Sequence, residues 1–182
     1  MLMRLIRLDE RRYETVITRP DGVTYHVKGV GHMSAIPHDL AHFAIEQALR
    51  IRQGFWGSVA DGAVFGSLTH VSGRRKPRAA ERSKQVLKAN KDHLTETEIL
   101  VGLFNQALEE GLGPESPVLR ERLRRYIWTP PGHQARQFTD AEIAAVCAGW
   151  RRMLELWQQL PVGETLELVW PDPDRARARR TR

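Results

Sequence analysis

The chain has 182 residues, 41% of them apolar, and a formal net charge of +6. That size suits a single domain with a proper core, and no apolar run approaches the ~18–20 residues needed to span a bilayer. Cys147 is the lone cysteine, which excludes an internal disulfide and a cysteine-built zinc site.

The N-terminal stretch Met1 to Leu8 carries Arg4 and Arg7 within its apolar residues and has no small-residue cleavage site after it, so it does not read as a signal peptide. The expectation is a soluble, cytoplasmic protein with no membrane association. Leu2 to Leu8 is β-prone, Asp9 to Arg12 suits a turn, and Tyr13 to Arg19 is rich in β-branched residues. Pro20-Asp21-Gly22 is a turn signal, because proline presets φ and glycine accepts a positive one. Val23, Tyr25 and Val27 then alternate with polar residues at the period of a half-buried strand.

A glycine-containing loop leads to Pro37, which suits a helix start. Helical patterning runs from Pro37 to about Arg52, and a second helix is expected from Phe55 to about Leu68, with Gly62 and Gly66 permitting close helix contact. A basic loop, Ser72 to Arg78, precedes a weakly amphipathic helix to about Asp92. Thr95 with Glu98, and Thr139 with Glu142, have capping-box spacing. The first predicts a helix to about Gly111, and the second the longest helix, to about Leu160. Between them, Pro117 to Trp128 reads as a helix and Thr129 to Phe138 as a loop. Ile143, Val146, Cys147, Trp150, Leu154 and Trp157 form one apolar stripe on the long helix. Pro161-Val162-Gly163 turns the chain into a last strand, with Leu166, Leu168 and Trp170 on one face.

There is no internal repeat. The fold class expected is α+β: a small antiparallel sheet, made of the N-terminal strands and the C-terminal strand, covered by about six helices. Residues 1–171 form one domain in this reading, and the Arg-rich tail 172–182 is expected to be disordered.

The densest group of reactive side chains is His38, Asp39, His42 and Glu46. On a helix, His38, His42 and Glu46 are successive i, i+4 positions, and all four cover less than a third of the circumference. Two histidines so spaced can present imidazole nitrogens to one divalent ion, with Glu46 as a third ligand or a general base and Asp39 orienting a histidine. Asp39 and Glu46 are thus the candidate catalytic groups, and His38, His42 and Glu46 the candidate metal ligands. The helix N-terminus would favour neutral imidazoles. Further ligands are available at His32, Asp61, His70 and His93. A metal here would suit hydrolysis by a bound water, although the motif is not H-E-x-x-H and protease chemistry does not transfer. A metal-free acid–base or small-ligand site is also open, with Gly54-Phe55-Trp56-Gly57 walling a pocket or serving as core. So is a plain structural role: Asp39 at the helix start, His42 paired with Glu46, and His38 exposed.

The string P-H-D-L-A-H-F-A-I-E at residues 37–46, followed by G-F-W-G at 54–57, resembles a motif shared by uncharacterised bacterial proteins of similar size. The resemblance implies a family and brings no activity with it.

The positive charge is local. Residues 74–91 carry +7 and residues 175–182 carry +5, which leaves the rest of the chain at −6. An alternative function follows, weak and salt-sensitive nucleic-acid binding through 74–91 and the tail. A third is a protein-interaction module presenting Trp128 or the Trp150 and Trp157 stripe. Cys147, on a stripe that packs, reads as core and not as a nucleophile.

Overall fold

The computed structural model describes residues 1–29, 35–126, 129 and 135–171. Strands β1 (Leu2–Arg7), β2 (Tyr13–Thr18) and β3 (Thr24–Gly29) form an antiparallel meander. Its turns are those the sequence signals. Asp9 accepts the amides of Arg11 and Arg12, and Gly22 takes the left-handed φ of +78°. Strand β5 (Thr165–Val169) pairs with β1, Leu5 opposite Leu166 and Met3 opposite Leu168. The chain ends thereby close on each other: the Trp170 N–H donates to the Met1 carbonyl at 2.9 Å.

Alternation decides the faces. Met3, Leu5, Tyr13, Ile17, Tyr25 and Val27 are buried, while Arg4 and Lys28 on the alternate positions are exposed. The buried face meets α1 (His38–Ala48) and α6 (Asp140–Gln159). Tyr13 lies edge-on to Trp157 at 5.9 Å, and the Thr15 hydroxyl donates to Asp39 at 2.7 Å. Helix α1 also packs on α4 (Lys91–Glu109), and every residue from Leu40 to Glu46 is buried. It is therefore an interior helix, and its polar residues must find partners inside the protein.

Helix α6 opens with the expected capping box: the Thr139 hydroxyl accepts the Glu142 amide, and Glu142 accepts the Thr139 amide at 2.9 Å. Its buried stripe is Ile143, Val146, Cys147, Trp150, Met153 and Trp157, with Leu154 half-buried at the border. Trp150 donates its indole N–H to Asn105 of α4 at 2.8 Å.

Three expectations change. The second helix, α2, spans only Phe55–Ala60. Gly62, at φ +112°, turns the chain out of it, so Gly62 and Gly66 are not a helix–helix contact. The chain instead reaches β4 (Thr69–Ser72), which adds an edge strand beside β3 and gives the order β4-β3-β2-β1-β5. Nor does Thr95 cap a helix. Helix α3 (Ala79–Ala89) is separated from α4 by Asn90 alone, so Thr95 lies inside α4 and donates to the Lys91 carbonyl at 3.1 Å. Finally, α1 stops at Ala48, and Arg50, at φ +54°, redirects the chain before Gly54. Helix α5 spans Pro117–Tyr126. His32, Trp128, Pro130 to Gly132 and the 172–182 tail lie outside the described residues. No described helix is long and apolar enough to cross a membrane.

The two T-x-x-E pairs make a direct comparison. Thr139→Ala should cost about 1 kcal/mol, because the cap loses its acceptor. Thr95→Ala should cost nothing, or gain a few tenths of a kcal/mol, as expected for alanine replacing threonine inside a helix. Urea denaturation of the two variants measures the difference, and equal losses would contradict the assigned start of α4.

Candidate metal centre

Pro37, extended at φ −51° and ψ 140°, precedes the first residue of α1 and places His38 at the helix start. The four-residue spacing then brings the side chains together as the sequence predicts. His42 Nε2 lies 3.0 Å from His38 Nε2, and His42 Nδ1 lies 2.9 Å from Glu46 Oε1. One imidazole thus touches a different neighbour through each nitrogen.

Glu46 is fully buried and its carboxylate is anchored from outside the helix. Oε1 also accepts the Phe55 amide at 2.9 Å, and Oε2 accepts the Trp56 amide at 3.1 Å. Gly54 is needed for this approach, since a Cβ there would sit 2.6 Å from the Glu46 carboxyl carbon. A Cβ at Gly57 would sit 1.7 Å from the Arg52 carbonyl oxygen. Trp56 is core, its indole N–H donating to the Asp39 carbonyl at 3.0 Å. Phe55 lies against His42 at 5.6 Å and stacks on Phe65 at 4.7 Å. The G-F-W-G segment is therefore the clamp on Glu46, with only Phe55 bordering the histidines.

The clamp sets the tautomer. With both oxygens accepting backbone N–H groups, the Glu46 carboxylate is an acceptor, so the proton between it and His42 belongs on Nδ1. In the neutral ring Nε2 then carries the lone pair, aimed at His38. Glu98 of α4 completes the group. Its two oxygens lie 3.4 Å from His38 Nε2 and 3.4 Å from His42 Nε2. His38, His42 and Glu98 each offer a ligand atom, all within 4.8 Å of one another. Ligands at about 2.0–2.1 Å in a tetrahedral zinc site stand about 3.3 Å apart; the two rings and the carboxylate oxygen nearest to each ring are close to that spacing, Oε2 beside His38 and Oε1 beside His42. His42 is 2% exposed, while His38 and Glu98 are 59% and 55% exposed, so the group has a sealed base and a wet front.

Electrostatics departs from the sequence expectation of neutral imidazoles. Burial disfavours a charged His42, but the hydrogen bonds and charges of Glu46 and Glu98 outweigh it and push the ring up to about 9. The hydrogen bonds of His38 and His42 hold Glu98 far below the ordinary carboxylate range. Burial pushes Glu46 upward, against the pull of His42 and the two amides. In the absence of another cation, a proton is thus retained among these groups.

Two expected roles are placed differently. Glu46 faces the Nδ1 side of His42 and is not part of the His38–His42–Glu98 group; sealed by three donors, it positions the ring. Asp39 accepts from Thr15 instead of orienting a histidine, and burial pushes its carboxyl up. Of the further ligands considered, Asp61 is exposed, His70 on β4 lies 3.0 Å from the Gly73 carbonyl, and His93 lies 3.7 Å from Glu96. None of the three belongs to the group. Glu98 was hidden by its match to a capping box. The residues around it, polar from Thr95 to Glu98, carry no local signal of its contact with α1. Cys147 is buried and its thiol is pushed up by desolvation, as befits a packing residue. Two surface clefts lie elsewhere: one of about 240 Å³ beside Arg120, Arg136 and Phe138, and a shallow groove of about 570 Å³ between α1, α6 and β5.

No family model, curated protein or solved structure matches the chain.

His42 binds its proton more tightly folded than unfolded. In metal-free protein its contribution to stability is complete below about pH 6.5 and is lost as the pH rises through about 9. NMR titration of the His42 ring should give a midpoint above that of an ordinary histidine, and Glu46→Gln should lower it. Glu46→Gln should also cost about 1–3 kcal/mol, since an amide N–H₂ would then face a backbone N–H donor or the His42 Nδ1–H. An unshifted midpoint in both proteins would contradict the Glu46 clamp.

Proposed function

We propose that His38, His42 and Glu98 bind a divalent cation of the zinc class, and that the site's reaction class is hydrolysis. The single observation that carries this reading is the position of Glu98. A second helix delivers a carboxylate to within 3.4 Å of both imidazole nitrogens, opposite the lone pair that Glu46 has already oriented. Three Lewis-basic groups so close repel one another unless a cation lies between them.

The ligand chemistry supports a borderline ion: two imidazoles and one carboxylate make the N₂O set found in open zinc sites with three protein ligands. The Glu46–His42 contact is the carboxylate–histidine pairing that fixes ring orientation and raises ligand basicity. Exposure of His38 and Glu98 leaves the front open to water and substrate. Such an ion lowers the pKa of a bound water towards 7 and polarises an ester, amide or phosphoryl oxygen. Glu46 acts only through His42, because no substrate can reach a fully buried carboxylate.

Competition between zinc and a chromophoric chelator, at about pH 8, tests the proposal. The wild type should bind a single Zn²⁺ per chain. His38→Ala and Glu98→Gln, at exposed positions that leave the fold intact, should weaken binding at least tenfold. Glu46→Gln should weaken it about 10–100-fold without removing a ligand. Affinity should fall as the pH is lowered towards 6, because protons compete for the imidazoles. Wild-type affinity in both His38→Ala and Glu98→Gln would refute the site.

A further inference from the structure

We propose that the surface formed by the loop after β4 and the outer side of α3 docks the phosphodiester backbone of a nucleic acid, independently of base sequence. The first observation is charge without internal compensation. Among the described residues, Arg4, Arg19, Arg122 and Arg136 are each paired with a carboxylate. By contrast, Arg74, Arg75, Arg78, Lys84, Lys88 and Lys91 are exposed and make no ion pair among the described residues. Cations such as Lys28, Arg52 and Arg152 are unpaired too, but only here among the described residues do they follow one another so densely. Lys76 helps to hold down Asp21, and Arg82 donates to the Asp61 carbonyl at 2.9 Å. Glu81 is the only acid within 74–91.

The second observation is how little α3 buries. Ser83 is its only buried residue, with Ala79, Val86 and Leu87 half-buried; the other seven residues are exposed. Lys84 and Lys88 stand i, i+4 on one face, a like-charge spacing that destabilises a helix by a few tenths of a kcal/mol. An eleven-residue helix with so small a buried face gains little from packing. Glu81, three residues before Lys84, offsets part of that repulsion, and the outward cations are left facing solvent, where a polyanion can reach them.

Composition of the patch selects the partner. A protein interface is built around aromatic or aliphatic anchors, and a membrane-binding helix presents an apolar face to the acyl chains. The outer side of α3 offers neither, since its two larger apolar residues, Val86 and Leu87, are half-buried and its exposed residues are small or polar. Binding to nucleic acid without sequence readout needs only cations, and duplex DNA presents about one negative charge per 1.7 Å of axis. Lys84 and Lys88 lie ~6 Å apart along the helix axis. Lys91, at the start of α4, shares its stripe with Glu98, seven residues and ~10 Å further on. Glu98 is an exposed carboxylate, so the docked backbone ends short of it, and the proposal needs no metal at the histidine group.

Fluorescence anisotropy with the full chain in EDTA, using labelled single-stranded and duplex DNA and RNA of mixed sequence, tests it separately from the metal site. Between about 50 and 200 mM salt, affinity should fall about 10²–10³-fold, as expected for roughly five phosphate contacts. Changing Lys84, Lys88 and Lys91 to Ala should make the slope of log K against log salt shallower by about two to three. Replacing the five arginines of 175–182 with Ala should leave that surface-dependent part in place. Three results would overturn the proposal: no binding at low salt, wild-type binding by the triple variant, or tighter binding to anionic phospholipid vesicles than to any of the nucleic acids.

Discussion

The buried carboxylate of Glu46 is the constraint on which the centre of this molecule depends. An ionisable group with no solvent exposure is tolerated only if its lone pairs are occupied. Here they are occupied by a ring N–H from its own helix and two backbone N–H groups from the next. That arrangement fixes the angle between α1 and α2, requires glycine at position 54, and orients His42. It also explains how α1 can bury every residue from Leu40 to Glu46. The helix is not uniformly apolar, but each of its interior polar groups is answered by a specific neighbour.

The sheet supports this arrangement without taking part in it. Thr15, on the buried face of β2, holds Asp39, and Asp39 in turn offers its carbonyl to Trp56. The start of α1 is therefore pinned from the sheet side and from the α2 side at once. Helix α4 approaches from a third direction and supplies Glu98. Three separately formed elements meet at two histidines one turn apart, so the group's precision comes from packing and not from loop geometry.

Much of this was legible in the sequence, for identifiable reasons. Period-two alternation gave the N-terminal strands and β5, and their pairing closes the chain ends as expected. The Thr139 box works because the residues before it are not helical. The identical spacing at Thr95 fails because helical backbone already extends back to Lys91, and a local motif cannot reveal that. Thr69–Ser72 has four exposed residues and no apolar alternation; it is a strand only because β3 offers a free edge, a tertiary effect that overrides propensity. The histidine ladder followed from helical spacing. Glu98 could not, because its partner residues lie more than fifty positions away in the chain.

A buried imidazole between two carboxylates holds a cation in either state, a proton or a metal ion, at nearly the same point in space. What distinguishes the occupants is geometry. A proton needs one acceptor in line with Nε2, and a third group nearby only adds repulsion or a weak second contact. A metal ion requires several donors around one centre, at mutual separations a little over 3 Å. Glu98 places a separate oxygen 3.4 Å from each histidine, Oε2 by His38 and Oε1 by His42. A carboxylate recruited only to neutralise imidazolium would gain more by closing on a single ring to normal hydrogen-bond distance. Glu98 instead spans the two rings, one oxygen to each, with His38 at 3.0 Å from His42, and that spanning position is the feature on which the choice between a proton and a metal ion turns.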